Sequence, residues 1–93
     1  MLFLALAQTV NGAADFGNAE DVLRDEALHV KTLMDSGVIT EIYFDEENSA
    51  VIKMTAESKA EAEEILNHLP LVKHGLIAFG VWALLPYTGF DRI

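Results

Sequence analysis

Glu26 and His29 stand three residues apart in a segment patterned with apolar residues, bracketed by Val22 and Leu33. On a helix such a pair shares a face, which brings the carboxylate and the imidazole within reach of each other. A carboxyl group in a partly apolar cleft has its pKa raised, because burial penalises the charged form, and an imidazole titrates near neutrality unaided. Together they can take up and return a proton, which is general acid/base chemistry. The same spacing also suits a pair at the solvent boundary of an amphipathic helix. Two further histidines, His68 and His74, flank the sequence Leu69-Pro70-Leu71. The chain has no cysteine and neither an H-x-x-x-H nor an H-E-x-x-H motif, so a third ligand is missing and no metal site is expected. His68 is placed to cap the end of its own helix, and His74 falls in the loop before the last strand, at the expected mouth of a cavity.

The elements that position these groups follow from hydrophobic period. Leu2 to Val10 reads as a first strand, with Leu2, Leu4 and Leu6 on one face and Phe3, Ala5 and Ala7 on the other. Asn11-Gly12 then leads through a loop to a helix over 19–36, with Asn18 as N-cap, Glu20 and Asp21 complementing the helix dipole, and Gly37 as the stop. Leu23, Ala27, Val30 and Met34 fall in one narrow arc, the stripe expected to pack on a sheet. A second stripe of Val22, Glu26, His29 and Leu33 lies about 80 to 90° around the helix.

Strand two is expected over Val38 to Phe44, and strand three over Ala50 to Thr55, joined by the polar turn Asp45-Glu46-Glu47-Asn48-Ser49. Ser58-Lys59-Ala60-Glu61 is a capping box, opening a helix whose buried stripe is Ala62, Ile65, Leu66 and Leu69 and which Pro70 should end. Strand four, Ile77 to Leu85, carries Ile77, Phe79, Val81, Ala83 and Leu85 on one face and Ala78, Gly80, Trp82 and Leu84 on the other. The order β-α-β-β-α-β predicts an α+β fold, a ferredoxin-like plait with a four-stranded antiparallel sheet. Two helices cover one face of such a sheet, and the other face is left apolar, more so than soluble monomers tolerate. Two sheets closing face to face into a dimeric α/β barrel, as a homodimer or a higher homo-oligomer, would cover it.

Bulk properties bound the function. The 93 residues suffice for a single domain, and a hydrophobic fraction of 52% is too high for disorder. A formal charge of -9, with only six Lys and Arg, argues against nucleic acid and anionic membranes as partners. No apolar run approaches the ~18 residues of a membrane helix. Met1 to Ala7 lacks the basic start of an export signal and reads as strand. The absence of cysteine fits a reducing cytoplasm.

Arg24-Asp25-Glu26-Ala27-Leu28, Gly37 eleven residues after Glu26, the aromatic Tyr43, and Ile65-Leu66-Asn67-His68-Leu69-Pro70-Leu71 before a closing apolar strand together resemble the muconolactone isomerase family of the dimeric α/β barrel superfamily. The resemblance spans nearly the whole chain. It implies a cofactor-independent isomerase, or a related cyclase, acting on a small unsaturated lactone or phenolic compound. A proton would leave a carbon next to a conjugated system and return two carbons away. On this reading Glu26 shuttles the proton, His29 or His74 assists, and Tyr43 donates to the oxyanion. Phe79, Trp82 and Tyr87 are expected around the substrate, and Trp82 also suits a core or dimer interface. A substrate carboxylate would need a cation, for which Arg24, Lys53 and Lys73 are available. Thr40, Glu41 and Phe44 stand where the family carries basic residues. Related barrels include cofactor-free quinol monooxygenases and non-catalytic small-ligand-binding or assembly modules, so both remain as alternatives.

Overall fold

A computed structural model describes residues 1–10 and 20–93. The expected Asn18 cap, the Asn11-Gly12 loop and position 19 lie outside these residues. The elements are β1 (Leu2–Thr9), α1 (Glu20–Asp35), β2 (Ile39–Phe44), β3 (Ala50–Thr55), α2 (Lys59–Asn67), α3 (Pro70–Lys73) and β4 (Ile77–Leu84), followed by a 3-10 turn over Gly89–Arg92. The strands form one antiparallel sheet in the order β2-β3-β1-β4. This is the ferredoxin-like α+β plait expected from the period.

The core lies between the helices and one sheet face. Phe3 and Ala5 of β1, Ile39 of β2, Ile52 and Met54 of β3 and Val81 of β4 meet Ala62, Leu66 and Leu69 there, all buried. In β1, β3 and β4 it is every second residue that enters this layer, as a pleated sheet requires. The other face carries Leu2, Leu4 and Leu6 opposite Leu84, Trp82 and Gly80, with none of the described helices over it. Ser58 opens α2 by accepting a hydrogen bond from Glu61 N–H at 3.1 Å, so the capping signal is used.

Three local features differ from the sequence reading. First, α1 is rotated: Val22, Glu26, His29, Val30 and Leu33 are half-buried, while Leu23 and Met34 of the expected inner stripe remain 37% and 40% exposed. Both stripes are apolar enough to serve, and the contact with α3 selects the one containing Glu26. Second, β2 is irregular between Ile39 and Glu41, where Thr40 donates its hydroxyl to the Lys53 carbonyl at 3.1 Å. The bulge lets Ile39 and Ile42 both face the core and turns Glu41 and Tyr43 to the open face. Third, Pro70 does not merely end α2. With its ring closing φ and no N–H to satisfy, it starts α3 as the first residue, so the expected two-histidine loop contains a helical turn. Gly37 and Gly75, with φ of +82° and +72°, take the left-handed positions after α1 and α3.

Candidate functional site

The site is built where α1 crosses α3. Leu69, fully buried, anchors the end of the α2 stripe, and Pro70 turns the chain so that the next amide points away from its own helix. The first amides of any helix lack partners within it, and Leu69, the N-cap residue of α3, has no side chain that can accept from them. Glu26 fills that role from 45 residues away. Its Oε1 accepts from Leu71 N–H at 2.9 Å. The tie joins α1 to the Leu-Pro-Leu turn and explains why the Glu26 stripe faces inward.

Burial raises the Glu26 carboxyl above its ordinary value of 4.5; the hydrogen bond from Leu71 and the attraction of His29 pull the other way and only partly offset it. His29 lines an open hollow of about 350 Å³ with Asp25, Leu28, Thr32 and Pro70. Thr32 donates its hydroxyl to the Leu28 carbonyl, so it is not a free donor toward the hollow. A half-buried acid with a raised pKa, three residues from an imidazole that lines an open hollow, is equipped to move a proton.

Not every expected residue converges there. His74 caps α3 at its C-terminal end, on the same short helix whose start Glu26 holds. His68 closes α2, with Nδ1 2.8 Å from the Glu64 carbonyl oxygen, as its position suggested. Phe79 packs against the core on the helix side of the sheet. Tyr43, Lys53 and Trp82 belong to the opposite face, with the sheet between them and Glu26. The Tyr43 hydroxyl donates to Glu41 Oε1 at 2.7 Å, and Lys53 Nζ donates to Glu41 Oε2 at 2.7 Å. Within one protomer the sheet therefore separates Tyr43 and Lys53 from Glu26. The Thr40 bulge places Tyr43 on that opposite face, because it shifts the alternation of β2 by one residue after Ile39. Tyr87 lies beyond β4, exposed, its ring edge-on to Phe90 with centroids 4.9 Å apart.

Glu41 was missed by the sequence reading as a polar organiser. Its signal was available: it is the acidic residue among strand positions, and Lys53 is the basic one. Leu71 N–H as the partner of Glu26 had no sequence signal beyond the Pro that precedes it. Among the described residues, no three of His, Cys, Asp or Glu gather as a metal-ligand set, and no helix is long and apolar enough to cross a membrane.

No family model matches the chain, and no curated protein matches it. Solved structures do. A crystal structure of muconolactone isomerase superposes with a TM-score of 0.76 at 20% identity, covering 96% of this chain and 93% of that one. A 5-chloro-2-hydroxyhydroquinone dehydrochlorinase from Burkholderia phenoliruptrix AC1100, in complex with 2,5-dihydroxybenzoquinone, superposes with a TM-score of 0.63 at 21% identity, covering 94% and 96%. The chain has the fold of muconolactone isomerase.

Proposed function

We propose that this protein is a cofactor-independent acid/base isomerase, or a cyclase of similar mechanism, acting on a small unsaturated lactone or phenolic ring. The observation that carries the reading is Glu26, half-buried, raised in pKa, bound to the Leu71 N–H of α3 and three residues from His29, which lines the hollow. The fold shared with muconolactone isomerase and with a dehydrochlorinase of a hydroxylated, chlorinated ring supports it.

In the ionised form Glu26 takes a proton from the ring carbon next to the conjugated system. The carbanion's charge delocalises onto the carbonyl oxygen as a dienolate. His29, or His74 at the other end of α3, donates a hydrogen bond to that oxygen, the part expected of Tyr43 from the sequence. Glu26 then returns the same proton two carbons away, so no atom is gained or lost. The raised pKa serves both steps, because a stronger base abstracts more readily and its conjugate acid still gives the proton back. Arg24 and Lys73, on the two elements that meet at the site, replace Lys53 as the cations available to a substrate carboxylate. The working form is a homodimer or larger homo-oligomer, with the open sheet faces as the natural contact.

Ultraviolet-monitored turnover of muconolactone, and of a butenolide lacking the carboxylate, by wild type and Glu26→Gln tests the reading. A wild-type rate that collapses in the variant supports it; no turnover of either lactone removes it. Oxygen uptake with a quinol in place of isomerisation would identify a monooxygenase instead.

A further inference from the structure

The walls of the α1–α3 hollow differ in what they can offer a ligand. Asp25, His29 and Thr32 follow one another along one face of α1, with Leu28 among them and Pro70 contributed by α3. A carboxylate such as that of Asp25 accepts hydrogen bonds and donates none. Thr32 has its hydroxyl proton committed to the Leu28 carbonyl at 3.1 Å, so toward the hollow it presents lone pairs. Pro70 has no N–H, and the Leu71 N–H that follows it is held by Glu26. Among the described lining residues, the side-chain donor left is the His29 ring.

The charges point the same way. Asp25 is next to Glu26 in the chain, no Lys or Arg is among the described lining residues, and the chain as a whole carries -9. Lys31 is turned to Asp35 at 3.0 Å, and Arg24 and Lys73 stand outside the lining. When Glu26 takes a proton from a ring carbon, one negative charge passes from its carboxylate to the ring, and the charge of the site does not change. A substrate carboxylate would add a further negative charge with no cation in the lining to meet it.

We propose that the hollow selects an uncharged, hydroxylated ring over a carboxylated one, with Asp25 as the specificity-determining residue that accepts from a ring hydroxyl and His29 as the donor to a ring oxygen. This rests on the isomerase reading above and narrows its substrate class to compounds that bring their own donors. Leu28 and Pro70 give the apolar part of the wall, suited to the face of such a ring.

Resorcinol, 1,3-dimethoxybenzene and benzoate, titrated separately at neutral pH, test the proposal without relying on turnover. Binding is read from the ring resonances of His29, assigned by their loss in His29→Gln. Resorcinol is expected to shift them saturably. The dimethyl ether has lost both donors and benzoate exchanges them for a charge, so each should bind about tenfold more weakly or worse. Asp25 is exposed on its helix, which favours folded variants, and circular dichroism checks each one. Asp25→Asn should weaken resorcinol by about threefold to tenfold, and Asp25→Lys should reverse the order, with benzoate binding better than resorcinol. Benzoate binding wild type as well as resorcinol does, a folded Asp25→Lys variant that keeps the wild-type order, or no response of His29 to any of the three overturns the proposal. Muconolactone turned over faster than the butenolide lacking its carboxylate also overturns it and leaves the isomerase reading standing. No turnover of either lactone removes that reading, with the selectivity of the hollow still decided by the titrations.

Discussion

Replacing Glu26 by Gln and by Ala separates its two roles. The side chain holds Leu71 N–H at 2.9 Å and is proposed to move the proton. Gln keeps a carbonyl oxygen at the same length and can still accept from Leu71, but it cannot take up a proton at neutral pH. Its stability should therefore stay within about 1 kcal/mol of wild type, while turnover should fall by roughly 10² to 10⁴, the usual worth of a general acid/base. Ala removes the acceptor as well and leaves the amide of Leu71, a buried residue, without its partner, at a cost of about 1–3 kcal/mol. The pH dependence gives a second test with a definite sign. Because the folded-state pKa of Glu26 lies above its ordinary value, the folded protein holds this proton more tightly than the unfolded chain. The contribution to stability is complete below about pH 4.5 and is lost as pH rises through the raised value; in the Gln variant that component of the decline should vanish. Urea unfolding across that range, beside ultraviolet-monitored turnover at neutral pH, measures both. A Gln variant retaining a third or more of the wild-type rate refutes the shuttle, and one as unstable as Ala refutes the view that a neutral acceptor suffices.

Other positions test the scaffold and the division between faces. Tyr43→Phe should leave turnover within about threefold of wild type, since the hydroxyl serves Glu41 on the far face; a loss as deep as that of Glu26→Gln would place Tyr43 in the chemistry after all. Ser58→Ala removes the acceptor for Glu61 N–H and should cost about 1 kcal/mol in urea unfolding. Leu66→Ala, at the centre of the buried layer, should cost about 2–5 kcal/mol, and a cost below 1 kcal/mol would mean that α2 is not packed as described.

Period-two alternation in β1 and β4 sorted their residues into the two faces the structure shows without telling which one is the core, and the Ser58 cap and the Ala62, Leu66, Leu69 stripe placed α2. These features are local and redundant, each repeated along an element. The rotation of α1 was not legible, because its two stripes differ little in apolar content and the choice rests on one hydrogen bond spanning 45 residues. The Thr40 bulge was equally hidden. A strict alternation would put Ile39, Glu41 and Tyr43 on one face, and a single inserted residue separates the first from the other two. Pro70 was seen as a stop, yet a residue that lacks an N–H is as well suited to starting a helix as to ending one.

The bulge and the rotation have a joint effect on function. Together they sort the titratable groups into two sets, Glu26 and His29 among the helices and Tyr43, Glu41 and Lys53 on the bare face. The first set is left frustrated. Its carboxyl is half-buried and accepts one backbone hydrogen bond, and among the described residues no Lys or Arg forms an ion pair with it, so burial raises it above its ordinary value. The second set is mutually satisfied, with the Glu41 carboxyl held below its ordinary value by Lys53 and Tyr43. A group held in one state makes a poor shuttle and a sound structural contact; a group poised between states is the reverse. The side of the sheet on which a residue falls therefore predicts which kind of measurement its mutation will move: turnover for the proposed shuttle Glu26, and the strength of the Glu41 ion pair for Lys53 and Tyr43.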